Sequence, residues 1–175
     1  FNSEVGHKFS LTLERKEYKF SYSVNPFINN ISDFIVIEPV STTNTIRGTF
    51  QVWEYRQTNA QLFGVDLNAS YAFNELMQFN HQLSIVKGQD KTQNESLINM
   101  PPVNTTNEIV YYNNRFNNLR LALQSEYVFR QNEFPNTNFE VYIPNTETYV
   151  EVDVSTSPSA YHLLNFNSSI DFDSS

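Results

Sequence analysis

Residues 61–73, QLFGVDLNASYAF, decide the fold class because apolar and polar side chains alternate along this stretch. The odd positions hold Phe63, Val65, Leu67, Ala69, Tyr71 and Phe73, and the even positions include Gly64, Asp66, Asn68 and Ser70. Successive side chains of a β-strand point to opposite faces of the sheet, whereas a helix would scatter these residues around its surface. The stretch therefore predicts a strand with one apolar face and one polar face.

The same period of two recurs on both sides of this stretch. It is clearest in residues 119–129, 77–85, 18–24 and 9–13, where large apolar residues alternate mainly with polar ones. We therefore predict about seven antiparallel strands, with a bulge near residues 58–60 of the third. The predicted strands are 2–14, 18–30, 49–73, 76–88, 106–113, 118–131 and 160–172.

The connections between these strands alternate strictly between short and long. Residues 15–17, 74–75 and 114–117 form the short turns, and residues 31–48, 89–105 and 132–159 form the long loops. Successive connections of a meander lie at opposite ends of the sheet, so one end carries only tight turns and the other only long loops. This asymmetry is expected of outer-membrane barrels, which have short periplasmic turns and long extracellular loops.

The composition of the 175 residues excludes several other classes of protein. The chain has no cysteine, which excludes a disulfide scaffold, a thiolate metal site and a cysteine nucleophile. Its formal net charge of -8 at pH 7 argues against a nucleic-acid partner, because no basic stripe is available to neutralise phosphates. No apolar run approaches the ~20 residues that a membrane helix needs, but this leaves open a barrel whose strands alternate.

The length of the alternating segments favours a membrane barrel over a soluble fold. A strand that spans a membrane needs about 9–11 residues, while strands of globular proteins most often have about 5–6. The predicted fold class is therefore all-β: an antiparallel meander of about seven long strands that is part of a large transmembrane β-barrel. The alternative that stays open is a soluble all-β ligand-binding module, such as a glycan-binding sandwich, which would bury the same apolar residues between two sheets.

Several short motifs, in serial order, resemble the later barrel strands of TonB-dependent outer-membrane receptors. Within residues 49–73, the family pattern of an aromatic residue, an Asn-Ala pair and Gly-Val-acidic is matched by Tyr55, Asn59-Ala60 and Gly64-Val65-Asp66. The other matching elements are Asn2-Ser3-Glu4-Val5-Gly6, Asn29-Asn30-Ile31-Ser32-Asp33-Phe34-Ile35, Met100-Pro101-Pro102 and Tyr161-His162-Leu163-Leu164-Asn165. Asp66 departs from the family pattern, in which Glu is more usual. The resemblance covers nearly the whole chain.

The resemblance implies that residues 1–175 are a partial β-barrel domain, the later part of a barrel with about 22 strands. We expect the plug domain, the TonB box and the final strands of that family to belong to chain not present here. The resemblance also implies location in the bacterial cell outer membrane, contact with outer-membrane lipid, and partnership with the plug domain and the energy-coupling protein TonB. The implied function is energised uptake of a scarce nutrient such as a metal chelate, haem or cobalamin, and glycans are another cargo of the family.

No cluster of residues predicts catalysis or a metal site. The histidines His7, His81 and His162 lie on three different predicted strands, without the convergence that a metal ion needs. No Gly-x-Ser-x-Gly elbow occurs, and no nucleophile and base share a catalytic spacing. We therefore expect no enzymatic activity, no catalytic residue, no metal site and no cofactor, and the sequence assigns no ligand-binding residue.

The long loop 132–159 combines acidic residues with aromatic and aliphatic ones. Its acidic residues are Glu133, Glu140, Glu147, Glu151 and Asp153, which suit either a cationic ligand or a solvated loop. Its apolar residues are Phe139, Val141, Tyr142, Tyr149 and Val150, which predict a small additional hairpin. Both interpretations of the acidic residues stay open at this point.

The chemistry of the two faces gives the sharpest structural expectation. Lipid surrounds a membrane barrel and water fills its lumen, so the apolar residues should lie on the convex face and remain exposed. The residues expected there are Phe63, Val65, Leu67, Tyr71, Phe79, Leu83, Leu121, Leu123, Tyr127 and Phe129. The residues expected on the concave face are Asp66, Asn68, Gln78, Gln82, Arg120, Gln124 and Glu126. Strands 2–14 and 160–172 are expected to be the outer edges of an open, curved sheet and not to pair with each other.

Overall fold

The computed structural model describes residues 1–133, 138–152 and 156–172, and these residues contain eleven strands. The strands are β1 (Val5–Ser10), β2 (Leu13–Lys16), β3 (Phe20–Thr45), β4 (Gly48–Ala72), β5 (Met77–Asp90), β6 (Glu95–Ser96), β7 (Asn104–Asn113), β8 (Leu119–Val128), β9 (Phe139–Ile143), β10 (Thr148–Val152) and β11 (Tyr161–Ser169). The predicted all-β class is confirmed. The described residues include no helix that is long and apolar enough to cross a membrane.

The main sheet is a continuous antiparallel meander. Its strands lie in the order β1, β3, β4, β5, β7, β8 and β11, with β2 beside β3 and the short β6 beside β5. Strands that follow one another along this path are paired, which confirms the predicted meander of about seven strands. The strands β1 and β11 lie at opposite ends of the order, as expected of an open sheet.

The predicted first strand, 2–14, is divided into β1 and β2, which corrects the sequence-based bounds. Both pieces pair with β3 in one register. Pro26 of β3 lies opposite the break and has no N–H to donate. Leu11 donates its N–H to the Pro26 carbonyl at 3.1 Å, but the proline cannot return a bond. The ladder is therefore interrupted without a change of register.

The largest difference from the prediction lies in residues 31–48, which do not form a long loop. β3 has 26 residues and β4 has 25, and the two strands pair as far as Thr45 and Gly48. Beyond Ser32, where the pairing with β1 ends, β3 pairs only with β4, so the outer half of this hairpin is a two-stranded ribbon. Pro39 fits this ribbon, because proline is excluded from central strands but is tolerated in a strand with a free edge.

Two bulges interrupt the pairing of β3 with β4, and both place their extra residue in β3. Ser32 and Asp33 together lie opposite Asn59, and Asp33 has a positive φ of 56°. The second bulge inserts Val40. The irregularity expected near 58–60 is therefore present at that level of the hairpin, but the extra residue belongs to the partner strand.

The other connections follow the predicted alternation of short and long. The turns after β2, β4 and β7 are short, and the connections after β5 and β8 are long. The connection after β8 carries β9 and β10, in which Tyr142 lies opposite Tyr149, and this confirms the predicted additional hairpin. The Thr42 and Thr49 hydroxyls of the β3–β4 ribbon donate to the carbonyls of Glu140 and Tyr142 at 3.2 and 3.3 Å, so the two hairpins touch.

The apolar face of the main sheet is uncovered. None of the residues expected on it is buried, and Leu123 is 53% exposed. One of its cross-strand rows consists of Phe20, Tyr71, Phe79, Ile109, Leu123 and Phe166. The other sheet in the described part of the chain is the β9–β10 hairpin, which contacts the ribbon of β3 and β4. The predicted exposure is therefore confirmed for Phe63, Tyr71, Leu123, Tyr127 and Phe129, while Val65, Leu67, Phe79, Leu83 and Leu121 are half-buried.

Candidate functional site

A polar groove lies on the face opposite the apolar one. It has a volume of about 390 Å³ and is lined mainly by hydroxyl, amide and carboxylate side chains from β2 to β8. Asn68, Gln82 and Gln124, which the sequence places on the concave face, line this groove. The polar face is therefore the hollow side of the sheet at this position.

Hydrogen bonds join the polar side chains of this face across four strands. Gln78 donates to Ser70 and Asn80 at 2.8 and 2.6 Å, and Asn80 donates to Glu108 at 3.0 Å. Arg120 donates to the other oxygen of Glu108 at 3.1 Å, so this carboxylate is held from both sides. Such a network keeps amide and hydroxyl groups in fixed positions and suits hydrogen bonding to water or to a polar partner.

Gly64 permits close packing on the polar face. It lies opposite Phe27, and a Cβ atom at position 64 would lie 3.0 Å from the Phe27 ring and 2.2 Å from the Ile85 carbonyl oxygen. The Lys8 Nζ lies 5.3 Å from the centroid of the same ring, which is within the range of a cation–π contact. Close packing therefore explains why the Gly-Val-acidic motif has glycine at position 64, because any larger residue would clash with a neighbouring strand.

The connection after β5 folds back onto the polar face. Leu97 is 4% exposed and forms a small core with Val36 and Ala60. Met100 packs against this core. A Cβ atom added at Gly88 would lie 2.5 Å from the Sδ atom of Met100. The small residues Ala60 and Gly88 therefore provide the space that this connection fills.

Asp90, the last residue of β5, fixes the start of this connection. Its side chain is 3% exposed. Its Oδ1 accepts hydrogen bonds from the Thr58 hydroxyl at 2.6 Å and from the N–H groups of Thr92 and Gln93 at 2.8 and 3.0 Å. Its Oδ2 accepts one from Arg56 Nη2 at 2.7 Å. One carboxylate thus ties the ribbon of β3 and β4 to the connection after β5.

Asp90 and Arg56 both have shifted pKa values. Both residues lie beyond the apolar band, at the level where the apolar face carries Gln57 and Gln61. Burial acts to raise the pKa of the Asp90 carboxyl, but the hydrogen bonds described above outweigh it and lower this pKa below its ordinary value. Burial acts to lower the pKa of Arg56, but the hydrogen bonds and charges of Asp90 and Glu38 outweigh it and raise this pKa. The pair is therefore ionised at neutral pH.

The structure keeps the three histidines apart. His81 Nδ1 lies 2.8 Å from Asn107 Oδ1, and His162 Nε2 lies 2.8 Å from Ser125 Oγ, both on the apolar face. His7 lies in β1, at the opposite edge of the sheet from His162. The residues that the structure describes contain no group of three His, Cys, Asp or Glu side chains that could hold a metal ion.

The acidic residues of the long loop after β8 do not converge on one point in the described part of the chain. Glu133 forms an ion pair with Lys87 of β5. Glu140 lies opposite Glu151 in the β9–β10 hairpin, and both are exposed. Asp153 lies outside the described residues. The contacts of these residues therefore support a solvated loop surface.

Sequence reasoning did not single out Asp90, Arg56 or Gly88. A signal for Asp90 exists in the stretch Asp-Lys-Thr-Gln at the end of a predicted strand, because an Asp side chain commonly accepts the N–H groups two and three residues later. Arg56 gives no such signal, since its partner Asp90 lies 34 residues away along the chain. Gly88 could be identified only once the position of Met100 was known.

Comparisons with known proteins bear on the fold. No protein-family model matches the chain, and no curated protein matches it. A similar solved structure is the copper transporter OprC, with a TM-score of 0.77 and 14% sequence identity. The match covers 98% of this chain and 23% of that chain, so these residues correspond to less than a quarter of the length of that transporter. The antiparallel sheet of long strands thus has the fold of part of such a β-barrel transporter.

Proposed function

We propose that this chain is the later part of the barrel wall of a TonB-dependent outer-membrane receptor, which takes up a scarce nutrient by energised transport. The observation that carries this proposal is the exposed apolar face across the main sheet, opposite a polar groove. Lipid surrounds the outer side of a membrane barrel, while water fills its lumen. The apolar face is then the surface toward lipid, and the polar face is the wall of the lumen.

The extent of exposed apolar surface supports a membrane location. Phe63, Tyr71, Leu123, Tyr127 and Phe129 are 37–53% exposed on this one face. A soluble monomer rarely exposes a contiguous apolar patch larger than a few hundred Å². A bilayer removes that difficulty, because hydrocarbon is the solvent that such a face prefers.

The chemistry of the lumen wall bears on the class of cargo. The groove presents amides and hydroxyls, which suit hydrogen bonding to a polar chelate, and the described residues contain no cluster suited to a bare metal ion. A metal chelate, haem or cobalamin is the cargo class that we propose, and the similarity to a copper transporter is compatible with a metal-containing one.

The proposed partners follow from the two faces. The polar face would contact the plug domain, which couples to TonB, and the apolar face would contact outer-membrane lipid. We propose neither enzymatic activity nor nucleic-acid binding for this wall. The hydrogen-bonded network through Gln78, Asn80, Glu108 and Arg120 supports a role as a rigid surface, because its side chains are already paired with one another.

The alternative, a soluble glycan-binding sandwich, would need a second sheet packed on the apolar face. Two sheets of a sandwich lie about 10 Å apart and bury their facing side chains. The β9–β10 hairpin contacts the ribbon through Thr42 and Thr49, and it leaves Leu123 53% exposed. The geometry of the described residues therefore favours a barrel wall.

Two adjacent residues of β5 allow a direct test of this function. Leu83 lies on the apolar face and Gln82 on the polar face, and the chain has no cysteine of its own. In outer-membrane vesicles that carry the intact protein, a small charged thiol reagent should modify the Gln82→Cys variant and leave the Leu83→Cys variant unmodified. After denaturation both variants should react equally. Equal modification of the two variants in the folded protein, or recovery of the protein in the soluble fraction, would contradict the proposal.

A further inference from the structure

A row of polar side chains interrupts the apolar face of the main sheet. This polar row consists of His81 in β5, Asn107 in β7, Ser125 in β8 and His162 in β11. His81 lies opposite Asn107, and Asn107 lies opposite Ser125. His162 lies diagonally beside Ser125, at 2.8 Å between Nε2 and Oγ. The row therefore crosses four neighbouring strands.

Apolar residues border the polar row on both sides except at Thr105, the neighbour of Asn107 on β7, whose hydroxyl donates to the Gln82 carbonyl at 3.0 Å. Phe79 and Leu83 flank His81 along β5, and Leu123 and Tyr127 flank Ser125 along β8. The row thus lies inside the band that the proposed function assigns to lipid hydrocarbon. Hydrocarbon provides no water to satisfy donors and acceptors, so polar residues in such a band are rare and usually have partners.

Hydrogen bonds within the chain satisfy only part of the row. His81 Nδ1 lies 2.8 Å from Asn107 Oδ1, and because an amide oxygen only accepts, the imidazole N–H is the donor. The Nε2 of the neutral ring is then an acceptor. In the part of the chain that the structure describes, His81 and Asn107 use only Nδ1 and Oδ1 in a side-chain hydrogen bond, and neither this Nε2 nor the Asn107 amide nitrogen forms one. An acceptor and a donor therefore lie unused on adjacent strands.

We propose that the polar row is the contact surface for a second copy of this chain in the membrane, an inference that rests on the proposed function. In a two-fold symmetric contact, the Asn107 amide of one copy donates to Nε2 of the partner's His81, and the reverse bond forms at the same time. Hydrogen bonds of this kind hold membrane segments together, because lipid offers no hydrophobic drive for their association. The contact satisfies both unused groups in each copy.

The chemistry of the row favours a second copy over a different protein. Its donor and its acceptor lie in the same patch, so the surface is complementary to itself, as an isologous contact requires. The row contains no Asp, Glu, Lys or Arg, so two copies can meet there without like charges facing each other, although the chain carries a net charge of -8. Ala69 lies opposite His81 on β4 and, with Ser125, keeps the surface low enough for two walls to approach closely.

Cross-linking through a single cysteine tests this contact in the intact protein in its native outer membrane. Ile109 lies next to Asn107 on the same face of β7, near the proposed two-fold axis, and is 45% exposed. Phe20 belongs to the same cross-strand row and is 39% exposed, but it lies three strands away in the sheet order. A short bis-maleimide should link two copies of the Ile109→Cys variant. It should not link the Phe20→Cys variant or the unsubstituted protein.

A second variant tests whether dimer formation depends on the hydrogen bonds of the polar row or only on two copies lying close together. Adding Asn107→Leu to Ile109→Cys should lower the dimer association constant about ninefold, since two equivalent hydrogen bonds are lost and each is worth roughly a factor of three. Heat-dependent migration on a gel verifies that the barrel is still folded. Leucine suits a lipid-facing position, so the variant is expected to insert normally.

The possible results distinguish a failure of the dimer contact from a failure of the proposed function. A membrane-embedded Ile109→Cys variant that forms no dimer, or an Asn107→Leu change that leaves dimer formation as before, overturns this inference and leaves the proposed function intact. A cross-link to a different protein overturns the assignment to a second copy. Recovery of the protein in the soluble fraction overturns the proposed function and this inference together.

Discussion

The Nη2 atom of Arg56 lies 2.7 Å from Oδ2 of Asp90, and this pair joins the ribbon of β3 and β4 to the end of β5. The same carboxylate accepts the N–H groups of Thr92 and Gln93, which begin the connection after β5. A two-stranded ribbon has little stability of its own. The ion pair and the small core around Leu97 attach it to the connection after β5.

Replacing Asp90 by Asn should loosen both the ribbon and the connection after β5. The variant keeps an oxygen acceptor of similar size but removes the more deeply buried of the two counter-charges of Arg56 and leaves only Glu38. Breaking one side of a buried ion pair costs about 3–5 kcal/mol. Because the Arg56 side chain is 26% exposed, we expect a smaller local loss, about 1–3 kcal/mol. Faster hydrogen exchange at the Thr92 and Gln93 amides, by roughly tenfold to a hundredfold, measures this loss.

Glu133→Gln is the matched control for this change. It removes the charge from an exposed ion pair with Lys87 in the same region of the molecule. Exposed pairs contribute about 0–1 kcal/mol, so the exchange of Thr92 and Gln93 should stay as it is. If Asp90→Asn and Glu133→Gln had the same small effect, the attachment of the ribbon would have to lie elsewhere.

The attachment through Asp90 should depend on pH only in the acid range. The folded-state pKa of this carboxyl lies below its ordinary value of 3.8, so the unfolded state binds a proton at a higher pH than the folded state does. The stability that the group contributes is therefore present above the ordinary pKa and is lost as the pH falls through the folded-state pKa. Protection of the Thr92 amide, corrected for intrinsic exchange, should be constant from roughly pH 8 to pH 5 and should fall below roughly pH 4.

The Asp90→Asn variant is the control for the titration, because it cannot lose a charge. Its protection at Thr92 should be lower than that of the unsubstituted protein at neutral pH and should lack the acid step. A transition centred between roughly pH 6 and pH 8 in the unsubstituted protein would point to a histidine instead and would contradict the assignment to Asp90.

Gly64→Ala should destabilise the sheet more than Gly6→Ala does. A Cβ atom at position 64 would lie 2.2 Å from the Ile85 carbonyl oxygen, whereas one at position 6 has its nearest neighbour, Asn29 Oδ1, at 3.5 Å. Overpacking of a tight site costs about 1–3 kcal/mol, and backbone cannot move aside as a flexible side chain can. Urea unfolding of the two variants in detergent measures the difference, and equal midpoints would show that β4 and β5 are less closely packed at this level.

Period-two alternation predicted both faces of the sheet because successive side chains of a strand point to opposite faces. Leu123 and Gln124 illustrate this, since adjacent residues of β8 lie on the apolar face and in the polar groove, as expected. The short turns were also predictable, because the alternation stops at residues 15–17, 74–75 and 114–117. These signals are local, and a single sequence carries them.

The ribbon and its attachments could not be predicted in this way. Residues 31–48 were predicted to be a long loop, but the free edge of β3 accommodates Pro39 and a bulge accommodates Asp33, so the strand continues through both. The packing of Met100 over Gly88 depends on where the connection after β5 returns to the sheet. Such contacts follow from the tertiary arrangement, which no alternation pattern specifies. For the same reason the polar row on the apolar face was visible only as single polar residues.

A pair of arginine substitutions in β8 tests which face meets lipid. Leu123→Arg places a charge on the apolar face and should cost about 2–4 kcal/mol if the position lies near the middle of the bilayer. Gln124→Arg places the same charge in the polar groove, which is the water-filled lumen under the proposed function, and should change the free energy of unfolding by less than about 1 kcal/mol. Unfolding in lipid vesicles measures both values, and the wild-type protein in the same vesicles is the reference. Because the two residues are adjacent in one strand, the difference reports the environment of each face and not the local backbone. Equal costs for the two variants would mean that this strand does not separate lipid from water.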